Sequence, residues 1–210
     1  DLCSLPKGER STTGTESARK RLTDGLRAVE ADVSPDGKLL AFTINSRSTR
    51  TLVVADILDD GSLGPRRTLV PSARFDQAYT PRFSPDGTKI AYSAWTAGGY
   101  RDIRVVDVAT GAFEAITHDR ALDMEPAWSP DGATLYFSSD RTGIFNILAY
   151  DFATKAFSLV TNVHNGAFAP AISPDGKTLV YDGYTHLGYD LFALPLDPAK
   201  FLPAPDAPDD

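Results

Sequence analysis

Apolar and polar positions along this chain recur in register with a four-residue marker. Ser-Pro-Asp-Gly stands at 34–37, 84–87, 129–132 and 173–176, its serines 50, 45 and 44 residues apart. The residue before each serine is apolar: Val33, Phe83, Trp128, Ile172. Counting from serine, the sixth position is Leu40, Ile90, Leu135 and Leu179, and the eighth is Phe42, Tyr92, Phe137 and Tyr181. Alternation with a period of two predicts a β-strand. The seventh position (Ala41, Ala91, Tyr136, Val180) is also mostly apolar, which predicts burial on both faces, as in a sheet packed between two others.

Each marker reads as a turn between two antiparallel strands. Pro35, Pro85, Pro130 and Pro174 preset φ at the first corner, and Asp36, Asp86, Asp131 and Asp175 can bond nearby amides. Gly37, Gly87, Gly132 and Gly176 tolerate the left-handed exit. Variable loops at 45–50, 94–101, 139–145 and 183–189 lead to a third strand at 51–56, 102–107, 146–151 and 190–196. Further turns lead to a fourth strand at 66–70, 113–117 and 157–161. Four short antiparallel strands in each repeat of about 45 residues predict a blade of a β-propeller, with repeats near 24–70, 71–117, 118–161 and 162–197.

The ends depart from this plan. Residues 1–17 are polar and aperiodic, and read as loop or as the remnant of a preceding blade. Residues 18–23 (ARKRLT) end in Leu-Thr, as the fourth strands end in Ile116-Thr117 and Val160-Thr161, so they are expected to be the outer strand of a blade whose earlier strands are not here. Residues 198–210 are rich in Pro and Asp and read as a linker or tail without a strand. The last blade is then one strand short. Either 18–23 completes it in a closed four-bladed ring, or the chain is part of a larger ring; the second reading accounts better for 1–17.

Composition narrows the function classes. With 210 residues and 42% hydrophobic content the chain can bury a core. A net charge of -7, with no basic run beyond Arg19-Lys20-Arg21, argues against a nucleic-acid partner. No apolar run reaches membrane-spanning length, and no signal-peptide pattern opens the chain. Cys3 is the single cysteine, so no internal disulfide can form.

The stretch 128–161, WSPDGATLYFSSDRTGIFNILAYDFATKAFSLVT, carries W-S-P-D-G, an apolar strand, S-D-R-x-G, N-I-x-x-x-D and a closing L-V-T. In this order it resembles the TolB-like β-propeller family, whose repeat is the WD40-like PD40 repeat. The resemblance covers about residues 18–196 and is weaker in the first and fourth repeats. It implies a fragment of a larger exported bacterial protein of the periplasm or cell envelope, whose propeller binds a protein or peptide partner and needs no cofactor. Similar repeats occur in the propellers of prolyl oligopeptidase-like peptidases.

Candidate chemistry is sparse. The four marker aspartates read as turn residues and not as metal ligands. His118 and His164 occupy equivalent loops between one blade and the next. Oligogalacturonate lyases, similar in repeat type, use channel-mouth histidines with a divalent metal, which makes these two the metal candidates; solvated loop histidines are the simpler reading. Asp119, Asp123 and Glu125, with Glu30 at the position equivalent to Glu125, can form an acidic rim for a cation or a basic segment. Asp140 and Arg141 are adjacent in a tight turn, where an ion pair within the blade is expected. Trp95, Tyr100, Tyr184 and Tyr189 lie in variable loops and offer an interaction surface. No G-x-S-x-G elbow and no phosphate-binding glycine loop is present. The expectation is a non-catalytic binding scaffold. The alternatives are the access-gating propeller of a peptidase and a metal-dependent lyase.

Overall fold

Each marker turn closes on itself through the same small set of hydrogen bonds. In the computed structural model, which describes residues 3–4, 20–96 and 99–206, the Ser34 hydroxyl donates to Asp36 Oδ1 (2.6 Å) and accepts from Leu39 N (2.9 Å). Asp36 Oδ1 also accepts from Lys38 N (3.1 Å), and Gly37 N donates to Ser34 O (2.8 Å) with φ of 72° at the glycine. The other three copies repeat the Ser–Asp bond at 2.6 Å. That hydroxyl, then the backbone amide two residues on, holds each aspartate below the usual carboxylate range.

These turns organise eighteen short strands among the described residues. Strand β1 (Cys3–Ser4) pairs with β2 (Lys20–Arg21). Blade 1 comprises β3 (Ala28–Val33), β4 (Leu39–Ser46), β5 (Thr49–Ile57) and β6 (Leu63–Thr68). Blade 2 comprises β7 (Gln77–Phe83), β8 (Lys89–Trp95), β9 (Arg101–Asp107) and β10 (Phe113–Ala115). Blade 3 comprises β11 (Asp123–Trp128), β12 (Thr134–Ser139), β13 (Asn146–Asp151) and β14 (Phe157–Leu159). Blade 4 has β15 (Ala167–Ile172), β16 (Thr178–Thr185) and β17 (Gly188–Pro195), and β18 (Leu202–Pro203) follows. Strands pair antiparallel in chain order within each blade, and one parallel bridge, Arg50 to Gln77, links blades 1 and 2.

The core is a series of interblade layers. Sixth and eighth positions face the preceding blade and the seventh faces the following one. Ala41, Leu52 and Val54 of blade 1 therefore meet Ile90 and Tyr92 of blade 2. Ala91, Ile103 and Val105 meet Leu135 and Phe137, and Tyr136, Ile147 and Ala149 meet Leu179. Both faces of these strands are buried because each is sandwiched, as their doubly apolar pattern predicts. Inner strands β3, β7, β11 and β15 contact one another in sequence, while blade 4 makes no contact with blade 1 among the described residues. The four blades form an open arc, so the closed four-bladed ring is not what is observed.

The C-terminal end corrects the sequence reading. The tail was expected to carry no strand, yet Leu202–Pro203 pairs with Leu159 and Ser158 on the outer edge of blade 3. Proline is tolerated there because an edge strand does not need every N–H. At the other end, β2 joins β1 and not β17, so it does not complete blade 4; Leu22, just beyond it, packs against Leu40 and Phe42 of blade 1. The rest of residues 1–17, expected as loop, and Ala18 and Arg19 lie outside the described residues. Among the described residues no helix is long and apolar enough to cross a membrane.

Candidate functional site

The inner strands share a device that the apolar pattern did not reveal. Four residues before each marker serine, the backbone turns to positive φ: Glu30 (53°), Thr80 (47°), Glu125 (57°) and Ala169 (48°). Register shifts at the same places in all four blades, which marks a β-bulge. A bulge leaves an amide without a ladder partner, and a carboxylate from the preceding blade takes it. Thr80 N donates to Glu30 Oε2 (2.9 Å), and Ala169 N donates to Glu125 Oε2 (2.8 Å). Blade 2 has Thr80 where the acid would be, and its buried hydroxyl makes no hydrogen bond. Asp32 Oδ2 accepts from Phe83 N (2.7 Å), and Trp128 Nε1 donates back to Arg82 O (3.0 Å).

These bonds frame a cavity of about 610 Å³ between the inner strands. Prolines line it from every blade (Pro35, Pro85, Pro130, Pro174), joined by Trp128, Arg82 and Glu125. The marker turns are brought together at one end of it. A side chain added at Gly87 would lie 3.5 Å from Pro35 Cδ, at Gly132 3.6 Å from Pro85 Cδ, and at Gly176 3.7 Å from Pro130 Cδ. Each turn thus supports the next, in addition to closing its own hairpin.

Beside the bulge of blade 2, next to Thr80, two guanidinium groups lie over one ring. Arg50 and Arg101 stand 4.7 and 4.1 Å from the centroid of Tyr79. Arg50 pairs with Glu30 Oε1 (3.2 Å), and Arg101 Nε donates to Ser93 Oγ (2.9 Å). Burial draws the Arg101 pKa down from its ordinary value, against the pull of Tyr79, Glu125 and Glu30.

The third blade carries one buried acid. Asp123 is 0% exposed and occupies the place held by Ala28, Ala78 and Ala167 in the other blades. Its carboxylate is 3.8 Å from Arg141 Nη2, which sits 2.7 Å from Asp119 Oδ2. Burial pushes the Asp123 carboxyl up to about 6, against the hydroxyls of Ser139 and Thr117 and the charge of Arg141. Asp102, on the neighbouring blade, is also raised by burial and by Asp119.

Most sequence candidates are used internally. Asp119, Asp123 and Glu125 do not form a free acidic rim: the first two pair with Arg141, and Glu125 belongs to β11 and holds blade 4. Arg141 does not pair with Asp140, whose Oδ1 accepts instead from Leu122 N (2.7 Å). Tyr100 accepts from Arg120 Nε (2.9 Å) and lies under its guanidinium. Trp95 ends β8, half exposed, with its indole N–H donated to Gly99 O (3.1 Å). Tyr184 and Tyr189 meet edge to face at 5.1 Å and are both exposed. His118 and His164 are exposed, and no group of three His, Cys, Asp or Glu that could hold a metal ion forms among the described residues. The bulge acids could have been found from Glu30 and Glu125 recurring at one offset from the marker, but an acid outside an apolar strand pattern reads as loop.

A ring segment of antiparallel blades, with inner strands lining a cavity, defines a β-propeller. Residues 27–189 match the model of the TolB beta propeller domain (PD40), and the chain belongs to that family. Over 68 residues it is 38% identical to the uncharacterized peptidase YuxL of Bacillus subtilis (strain 168), a match covering 30% of this chain and 10% of that protein. Over 71 residues it is 34% identical to the Tol-Pal system protein TolB of Francisella tularensis subsp. mediasiatica (strain FSC147), covering 31% of this chain and 16% of that protein. These matches span well under a fifth of either relative. The structure of putative TolB from Agrobacterium tumefaciens is similar with a TM-score of 0.70 at 22% identity, over 88% of this chain and 67% of that one. That likeness concerns the fold alone.

Proposed function

We propose that this chain is a non-catalytic binding scaffold of an exported bacterial protein, and that it takes an extended protein or peptide segment in the cavity between its inner strands. The observation that carries the reading is the cavity itself, about 610 Å³, walled by prolines and Trp128 with Arg82 and Glu125 at hand. Apolar walls with a few fixed polar groups suit a chain segment held by shape and one or two charges. Membership of the TolB propeller family and the relative named as a Tol-Pal system protein support an envelope location and a protein partner. Panning a random peptide library against the chain tests this. The reading expects a selected peptide whose binding is lost in Arg82→Glu, a variant of an exposed side chain. Enrichment of no peptide, or binding indifferent to that change, contradicts it.

A second reading is favoured by one observation, the identity with a relative named as a peptidase. In it the chain is the propeller of a prolyl oligopeptidase-like serine peptidase and limits access to a catalytic domain. The full-length gene decides: a hydrolase domain bearing G-x-S-x-G establishes this reading for the whole protein, and its absence removes it.

A further inference from the structure

Two joints of the arc place three side chains in the same arrangement, with opposite chemistry. Between blades 3 and 4 the places are filled by rings: the Phe168 centroid lies 4.8 Å from that of Phe145 and 5.8 Å from that of Tyr189. Between blades 1 and 2 the equivalent positions, counted from the marker serines and the strand register, hold Tyr79, Arg50 and Arg101. The two guanidinium carbons there stand 4.7 and 4.1 Å from the Tyr79 centroid. An aromatic trio is enough to pack such a joint, so two half-buried cations are a cost that packing does not require.

The charges are not balanced within the chain. Among the described residues Glu30 is the one carboxylate paired with either guanidinium: its Oε1 accepts from Arg50 Nη1 (3.2 Å), while its Oε2 is taken by Thr80 N. Arg101 donates Nε to Ser93 Oγ and Nη1 to Met124 Sδ (2.9 Å each); neither acceptor is charged, and a thioether is a weak one. Glu125 is committed to Ala169 N and Ser138 Oγ. Arg101 Nη2, Arg50 Nη2 and the Tyr79 hydroxyl have no hydrogen-bond partner among the described residues, and none of the three is sealed from solvent. Thr80, next to the ring, lines the cavity. The Arg50 side chain is only 16% exposed, and a charge screened this little attracts an anion more strongly than one on an open surface.

We propose that Arg50, Arg101 and the Tyr79 hydroxyl form a carboxylate-binding subsite beside the cavity, and that the segment held in the cavity is acidic at this point, through an Asp or Glu side chain or through its own C-terminus. Guanidinium forks match the two oxygens of a carboxylate in geometry as well as charge. The subsite follows from its own geometry; only the attachment of the carboxylate to a cavity-bound segment rests on the function proposed above.

Two small probes separate the sources: N-acetylglutamate α-amide carries a side-chain carboxylate alone, and N-acetylalanine a main-chain carboxylate alone. Each is titrated into the 210-residue chain while NMR follows the Nε–H signals of Arg50 and Arg101 and the Tyr79 ring, with sodium chloride at equal ionic strength as control. The expected result is a saturable shift of these signals with at least one probe, the tighter one naming the source. Arg101→Gln should weaken it about tenfold, and Arg101→Lys, which keeps the charge and loses the fork, about threefold. The double variant Arg50→Phe/Arg101→Tyr copies the trio of blades 3 and 4, and is expected to keep the fold and lose the response. No saturation by about 100 mM of either probe, affinity unchanged in Arg101→Gln or in the double variant, or an equal response to chloride overturns the proposal. So does saturation by inorganic phosphate with no response to either carboxylate. Arg82→Glu, which removes peptide capture in the cavity, leaves the titration unchanged, so the cavity reading and this one fail separately.

Discussion

Ile147 and Leu191 hold the same place in consecutive blades. Both lie at the third strand, both follow a polar residue that can accept a hydrogen bond, and both are aliphatic. Ile147 is 0% exposed and Leu191 is 76% exposed. Local sequence does not separate them; what lies beyond the blade does. The seventh-position face of blade 3 is closed by Leu179 and Tyr181 of blade 4, whereas the same face of blade 4 has no following blade among the described residues. In a stacked-sheet architecture a residue contributes to stability through the neighbouring repeat more than through its own, which is the behaviour expected of repeats that bury their cores between units.

The comparison can be broken or sharpened by substitution. The largest effect is expected from Ile147→Ala, which opens a cavity between two packed blades and should cost about 2–5 kcal/mol in urea unfolding. A loss below about 1 kcal/mol would mean that this layer does not carry the packing described.

Asp123 sets the next effect and gives it a pH signature. Its folded carboxyl titrates at about 6, above the ordinary value of 3.8. The protonated form is therefore the one folding favours, and its stabilisation is fully present below the ordinary pKa and lost as pH rises through about 6. Asp123→Asn should remove this dependence, flattening the stability profile between pH 4 and 7.5 by on the order of 2–3 kcal/mol. An unchanged profile would show that Asp123 ionises normally. The marker aspartates act with the opposite sign: their lowered pKa values make their stabilisation fall away as pH drops through the acid range.

Glu125→Ala leaves the Ala169 amide with the Ser138 hydroxyl alone (3.1 Å) and should destabilise the chain by about 1–3 kcal/mol. Thr80→Ala removes only a hydroxyl that bonds nothing and should be near neutral by the same assay, a contrast that tests whether the bulge acids act as described. The smallest effect belongs to Leu191→Ala, expected within about 0.5 kcal/mol because the side chain is already in water.

Much of the fold was legible because turn chemistry and strand alternation are local. Ser-Pro-Asp-Gly fixes its own hairpin through bonds that span five residues, and the apolar sixth, seventh and eighth positions state that both faces are covered. What was not legible depends on partners distant in the chain. Glu30 and Glu125 look like loop acids until the bulge of the following blade is placed beside them. Arg141 is adjacent to Asp140 in sequence, but Asp140 is drawn to the Leu122 amide and Arg141 turns to Asp119. Leu202–Pro203 carries no strand pattern, and it pairs only because β14 presents a free edge. The lining of the cavity by every marker proline was not legible either, since each turn taken alone serves its own hairpin.

Amide hydrogen exchange, resolved to single residues, tests most directly the claim that the arc is closed between blades and open at β17. Ile147 accepts from Val160 N (2.9 Å) and donates to Thr161, so its amide should exchange only with global unfolding. The Leu191 and Ala193 amides, at the corresponding outward positions of an unpaired strand, should exchange orders of magnitude faster in the isolated chain. Equal protection at Ile147 and Leu191 would show that the edge of blade 4 is already covered, and would contradict the account.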